Sequence, residues 1–303
     1  MTKPRLLAFA QLLRLPNVFT AFADICLGAA AAGAYLADRP FTFVLLLLAS
    51  GSLYLAGMVW NDWFDRHDDA KTQKFRPIPS GRVVARTALF LGIILVAVGL
   101  AFAALAGLSL EFNESHPAVV AVGIVVAVAS YNGFLKQTPV GPAAMGLCRF
   151  LNVLLGISGA GGDLWSLVNL HLAGVIGLYI VGVTWFARTE ETASKRWQLI
   201  AAAVVMALAL LLGLLLPLHR PEGASPFYFP YLLAAFGFYV GMAIVKAIAN
   251  PEPKTVQAAI KRSILGLVIL DAVLATVFVG WPGLLILLLL LPARYLGKWV
   301  YST

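Results

Sequence analysis

Long apolar runs, each closed by a Gly, a Pro or a knot of charge, recur from one end of the chain to the other. Each is near the length of about 20 residues that carries an α-helix across a hydrocarbon core. The punctuation predicts spans at 15–37, 41–60, 86–108, 118–135, 143–160, 168–187, 197–217, 228–249, 262–280 and 283–300. The last two are divided only by Gly280-Trp281-Pro282-Gly283, so one long broken helix or a re-entrant hairpin there turns ten spans into nine. No polar stretch is long enough for a separate soluble domain, and residues 1–303 read as a single polytopic membrane domain, an all-α bundle of nine or ten transmembrane helices.

Composition agrees with the pattern. The chain is 61% hydrophobic and 12% charged, with a mean hydropathy of +0.89, whereas soluble domains are about 45–50% apolar and about 25% charged. A net charge of +8 raises the question of nucleic acid, but the bases are scattered through short loops rather than gathered on one face, which excludes that partner. Membrane topology accounts for them. With a cytoplasmic N-terminus, alternating spans put all 22 Lys and Arg except Arg39 and Arg220 on or near the cytoplasmic side. A bacterial inner membrane is the simplest location. Arg14 interrupts the N-terminal run LLAFAQLLRL and the next apolar segment carries Asp24, which suits a retained helix better than a cleaved signal. Cys26 and Cys148 both lie in apolar segments, with no disulfide or metal spacing.

One polar knot changes the picture. NDWFDRHDDAKTQKFRPIPSG, Asn61 to Gly81, follows directly on FVLLLLASGSLYLAGMVW. If the helix continues past Trp60, then Asp62, Asp65 and Asp69 fall at i, i+3 and i+7 on one face, with Asn61 adjoining Asp65 at i+4. Like charges so stacked require a cation. Hard oxygen donors at this density suit Mg²⁺, which takes one or two carboxylates, keeps waters and completes its shell from phosphates. Lys71, Lys74, Arg76 and Arg82 are then expected to face phosphate oxygens. The plainer alternative is a solvated loop at the headgroups of membrane lipids, which the single-face spacing and RPIPSG disfavour.

A second set of polar residues sits inside apolar spans. Arg14, Asn17 and Asp24 follow one another at i, i+3 and i+10; SYNGFLK offers Tyr131, Asn132 and Lys136; GLCRFLN brings Arg149 and Asn152. Singly, each suits a helix–helix hydrogen bond. Together at one depth they predict the wall of an anion-binding cleft, because an intramembrane arginine needs an anion or a carboxylate. Asp271 stands apart in VILDAVLA, far in sequence from any matching base, as a packing or hydrogen-bonding acid.

These residues carry a resemblance. Asn61, Asp62, Asp65 and Asp69 read as the NDxxDxxxD signature of the UbiA superfamily of intramembrane prenyltransferases, and RPIPSG is similar to that family's continuation. RLPN at Arg14 to Asn17 and YNGFLK extend the likeness over nearly the whole chain, and MGLCRFLNVLLG resembles the EboC-type branch. The resemblance implies a helical bundle around a central cavity, capped by two motif loops. It implies Mg²⁺ held by Asn61, Asp62, Asp65 and Asp69, with Arg14, Asn17, Asn61, Lys74, Arg76, Tyr131, Lys136, Arg149, Asn152, Arg188 and Lys195 binding substrate. The implied reaction moves a polyprenyl group from a polyprenyl diphosphate to a hydrophobic, aromatic acceptor, with Asp62, Asp65 and Asp69 catalytic. Tyr54, Trp60, Tyr179, Trp185 and Phe186 are candidates to face a developing allylic cation.

The family's second acidic stretch, DxxDD, corresponds here to WFARTEETASKR. Ala187 takes its first aspartate position, and Glu190 and Glu191 the last two, as candidate metal ligands. Charged loops after the second and sixth spans occupy corresponding places, an arrangement that often borders a shared site. This stretch is compatible with an altered acceptor, with one-metal catalysis, or with no catalysis, in which case the same cleft binds or translocates a polyprenyl or phospho-lipid.

Overall fold

The computed structural model describes residues 3–33, 38–110, 114–161, 163–188, 195–220 and 225–300. Eleven α-helices follow one another: α1 (Lys3–Leu12), α2 (Val18–Ala31), α3 (Pro40–Thr72), α4 (Ala85–Leu108), α5 (His116–Ser130), α6 (Gly141–Ile157), α7 (Leu167–Ala187), α8 (Arg196–Leu214), α9 (Phe229–Ala249), α10 (Pro253–Val279) and α11 (Leu290–Leu296). Among the described residues, eight helical segments are long and apolar enough to cross a bilayer, and nine if the pair 6–12 and 15–31, bent by 45°, counts as one span.

From α2 to α10 successive helices pack as neighbours, and α10 packs against α2, so the bundle closes on itself around a central cavity. The apolar pattern divides accordingly. α2 and α10 are buried along most of their length, whereas α4 turns Phe90, Ile93, Ile94 and Leu108 outward and α8 does the same with Leu208 and Leu211. Outward apolar side chains are what hydrocarbon surroundings require.

Close approach of α2 and α6 is set by two glycines. A Cβ on Gly28 would stand 2.6 Å from the Val153 carbonyl oxygen and 2.7 Å from the Ile157 nitrogen, and one on Gly156 would stand 2.7 Å from the Ile25 oxygen. Small residues let helix backbones touch where no water drives association. Gly28 lies one turn beyond Asp24 and Gly156 one turn beyond Asn152, so this contact brings the polar residues of the two helices face to face.

Three features depart from the expected spans. α3 runs unbroken to Thr72 and α10 begins at Pro253, so both extend well beyond their predicted boundaries, the first through the acidic motif. α3, with 33 residues, is about 50 Å long against a core of about 30 Å. The 283–300 helix is replaced by a 3-10 segment, Trp281–Leu289, and the short α11. Gly280 ends α10 at φ 67°, and Gly283 then lies so close to the backbone of Ala275 and Thr276 that a Cβ would stand 2.8 Å away; the returning chain is pressed against α10. Finally, α1 and α2 are separated at Arg14, whose φ of 45° is the one positive value among described non-glycine residues.

Candidate functional site

α3 carries the acidic motif to one end of the cavity. The turn after it is held by packing as well as by charge. Ile78 and Val83 are buried in a small core with Ala8 and Leu12 of α1, Val59 of α3 and Ala88 of α4. Ser80 and Gly81 donate backbone hydrogen bonds to Arg76 and Ile78, at 3.0 Å each, and Gly81 takes φ 72°. RPIPSG is therefore a compact turn that fixes Arg76 against α3.

Asp62 and Asp69 are 3% and 5% exposed, and burial at this level demands partners. Arg14 supplies one: its Nη2 donates to Asp62 Oδ1 at 3.1 Å and to Asn61 Oδ1 at 3.4 Å. The left-handed backbone at Arg14 is the kind of local strain that accumulates at functional residues. Arg76 Nη1 donates to Asp69 Oδ2 at 2.9 Å and lies 3.6 Å from Asp62 Oδ1. Asp65 pairs with Lys136.

Lys136 is positioned by an irregularity of its own. Residues Tyr131–Leu135 form a π-helical turn, and the Lys136 N–H reaches back to the Tyr131 carbonyl at 2.9 Å. Such widened turns are frequent at functional sites. Here it buries Tyr131 and Asn132 toward the cavity, where Asn61 Nδ2 donates to Asn132 Oδ1 at 3.1 Å. Arg188 closes this side by donating to the carbonyls of Thr138 and Lys136.

The cavity behind this rim has a volume of about 1360 Å³. Arg14, Asn17, Asn61, Arg76, Lys136 and Arg188 line its charged end, and Ile124, Val128, Ile180 and Ile264 contribute apolar wall. Arg149 and Asn152 line it more deeply, beside Tyr54, whose ring centroid lies 5.2 Å from the Arg149 guanidinium carbon. The single cleft wall expected from sequence is thus two polar levels: a rim at Asn61 and a floor at Arg149.

Other expected residues fall elsewhere. Arg82 lies outside the central cavity, in a smaller recess shared with Arg14, Asp62 and Arg76; its nitrogens donate to Ser80 Oγ at 3.0 Å, Gln11 Oε1 at 2.7 Å and the Phe75 carbonyl at 2.5 Å, tying the turn to α1. Lys71 pairs with Asp68 on the exposed side of α3, at 3.5 Å. Lys74 and Lys195 are exposed and do not line the cavity. Of the five aromatics proposed to face a cation, only Tyr54 lines it; Tyr179 is fully buried with its hydroxyl on the Ser263 carbonyl at 3.1 Å. Glu190 and Glu191 lie outside the described residues. Thr20 and Ser50, which bind Arg149 and Asn152, are short hydroxyl residues with no distinguishing spacing in the sequence.

The donor set fits Mg²⁺. Asn61 and Asp62 oxygens converge on one nitrogen of Arg14, and Asp62 and Asp69 oxygens on one nitrogen of Arg76, so a positive group already stands between each pair. Among the described residues no three acidic, His or Cys side chains close on one point. An ion here would take much of its shell from water and phosphate oxygens, which is the habit of Mg²⁺. Replacing Arg76 by Ala leaves buried Asp69 without the guanidinium that donates to it, which costs about 1–3 kcal/mol. The expected result is a lowered melting temperature in Mg²⁺-free buffer, partly recovered when Mg²⁺ is added, read by thermal unfolding in detergent.

A ring of apolar helices with buried oxygen donors and cations at one end of a deep cavity defines a membrane-embedded helical bundle with a polar site at one end. Comparison with known proteins gives this class its family. The profile of the UbiA prenyltransferase family matches residues 22–265, and the chain belongs to that family as a multi-pass integral membrane protein. It is 28% identical over 277 residues to a digeranylgeranylglyceryl phosphate synthase of Natronomonas pharaonis, covering 86% of this chain and 93% of that one. With a synthase of the same description from Methanospirillum hungatei the identity is 33% over 133 residues, and the match spans 44% of the length of each. A UbiA homologue from Archaeoglobus fulgidus, solved with DMAPP and Mg²⁺, superposes with a TM-score of 0.61 at 14% identity, over 88% of this chain and 98% of that one, which shows the shared fold.

Proposed function

We propose that this protein transfers a polyprenyl group from a polyprenyl diphosphate to a lipid-soluble, aromatic acceptor, with Mg²⁺ as cofactor and with the motif loops on the cytoplasmic side of a bacterial inner membrane. One observation carries the reading: Arg14, Arg76 and Lys136 sit on the oxygens of Asn61, Asp62, Asp65 and Asp69 at the head of a cavity walled by apolar helices. The cations suit a diphosphate, the oxygens its metal, and the apolar wall its tail. The relatives' names and the DMAPP and Mg²⁺ bound to the Archaeoglobus homologue support the same assignment.

In this reading the bond between C1 of the prenyl chain and the diphosphate oxygen breaks, and the electron pair leaves with diphosphate. Arg14, Arg76 and Lys136 oppose the developing charge from fixed positions, which is where preorganised electrostatics lowers a barrier most. A bound Mg²⁺ would add Lewis-acid stabilisation of the same oxygens through the carboxylates of Asp62, Asp65 and Asp69. The apolar wall keeps water from the allylic cation. The acceptor attacks C1, and the proton it loses leaves with the diphosphate. Glu190 and Glu191 are proposed as further metal ligands and Arg188 as a diphosphate contact.

Binding or translocation of a polyprenyl or phospho-lipid without chemistry is the second reading, favoured by Ala187 where the family's second motif begins. The experiment that separates them is diphosphate release from geranyl, farnesyl or geranylgeranyl diphosphate by the purified full chain. Release that requires Mg²⁺ and stops on chelation is expected. Saturable binding of all three donors with no release in Mg²⁺ would establish the second reading instead.

A further inference from the structure

Directly beneath the floor formed by Arg149 and Asn152 lies a charge imbalance that diphosphate binding does not use. Asp24 of α2 and Asp271 of α10 are both 0% exposed. Asp24 Oδ2 accepts hydrogen bonds from Arg149 Nη1 at 2.9 Å and Asn152 Nδ2 at 2.8 Å, while Arg149 Nη2 donates to Thr20 Oγ1 at 2.7 Å. The remaining Asp24 oxygen and both oxygens of Asp271 meet no N–H or O–H donor. Yet the helices that carry them pack against one another, and the two carboxyl groups interact across that contact. The other titratable groups around them are Cys26 of α2, Tyr54 of α3 and Tyr179 of α7, so Arg149 is the single cation at this level among the described residues.

Two carboxylates in contact, away from water and facing one guanidinium, repel one another too strongly for both to be ionised. One proton removes the difficulty: an O–H between the groups satisfies the orphaned oxygens and leaves one negative charge for one positive charge.

We propose that Asp24 and Asp271 share one proton and act together as the single counter-charge of Arg149. The cavity floor is then a neutral polar patch that selects an uncharged hydrogen-bonding group of the acceptor, a carbonyl or a hydroxyl, over a carboxylate or phosphate. The acceptor clause rests on the transferase reading. Tyr54, beside Arg149, precedes Asn61 by seven residues on α3, which places the floor roughly 10 Å below the rim. That depth matches an aromatic acceptor with one polar end at the floor and its nucleophilic end toward C1.

A shared charge makes a specific demand on variants. In Asp24→Asn or Asp271→Asn alone, the surviving acid ionises and serves Arg149, so each folds; only the double variant strips Arg149 of its counter-charge. Infrared spectra of the full chain in lipid nanodiscs, with isotope-labelled aspartate, read this directly. The wild-type carbonyl band of one protonated carboxyl is expected to be lost in both single variants. Loss in only one of them, or in neither, overturns the shared proton. For the acceptor, a hydroxynaphthamide is expected to bind about tenfold more tightly than the matching hydroxynaphthoate, with the preference reversed in the double variant. Tighter binding of the naphthoate to wild type, or binding of neither, overturns the neutral floor. Neither measurement uses diphosphate release, so failure of the transferase reading would be seen separately.

Discussion

Asp65→Ala is expected to lower Mg²⁺-dependent diphosphate release by about 100-fold or more, with the melting temperature within a few degrees of wild type. Asp65 is the middle member of the motif register and partners Lys136 across the rim. Its loss removes a charge that holds Lys136 in place and, in the proposed mechanism, a metal ligand, and losses of single preorganised groups commonly cost about 10²–10³ in rate. The fold should tolerate the change because the side chain is 21% exposed at the end of α3, outside the packed apolar core. Asp65→Asn sharpens the experiment, since the amide retains a hydrogen bond to Lys136 without the charge. If the Asn variant is as impaired as the Ala variant, charge at the ion is the deciding factor. Unimpaired release in Asp65→Ala, or release that persists after chelation, would refute the motif as a metal platform.

Gly28→Leu should leave little folded protein. The three atoms nearest a Cβ at this position, the Val153 oxygen, the Ile157 nitrogen and the Gly156 carbon, are all backbone and all within 2.8 Å. No flexible side chain is available to move aside, so α2 and α6 must separate; overpacking costs about 1–3 kcal/mol where repacking is possible and more where it is not. Separation would also pull Asp24 from Arg149 and Asn152, leaving buried charge unpaired at about 3–5 kcal/mol. Detergent-extracted protein measured by size-exclusion profile and thermal unfolding is expected to be aggregated or strongly destabilised. A monodisperse peak with near wild-type melting would mean that the α2–α6 contact is looser than the geometry states.

The spans were legible because each is an autonomous signal: length, apolarity and punctuation are local properties. The motif was legible for a similar reason, since Asn61, Asp62, Asp65 and Asp69 share one helix and their register follows from helical period alone. What stayed hidden depends on other parts of the chain. Arg82 looks as able to hold phosphate as Arg76, and only the packing of Ile78 decides which of the two faces the cavity. Asp271 had no base near it in sequence because its base is reached through Asp24, across the α2–α10 and α2–α6 contacts. The left-handed Arg14, the π turn at Tyr131 and the 3-10 segment after Gly280 are each imposed by a neighbour. Apolar periodicity carries no trace of them.

The small core around Ile78 has a practical bearing on handling the protein. Because Ala8 and Leu12 of α1 pack in the same cluster as Ile78 and Val83, the first helix is a mechanical part of the arm that presents Arg76. Anything fused ahead of α1 is leveraged through that cluster onto the rim, and α11 bears on the same site from another side, since it packs on the turn at Pro16 and on α2 while its Ala293 and Arg294 line the cavity. Activity lost with a fusion at either end is therefore no measure of the site itself.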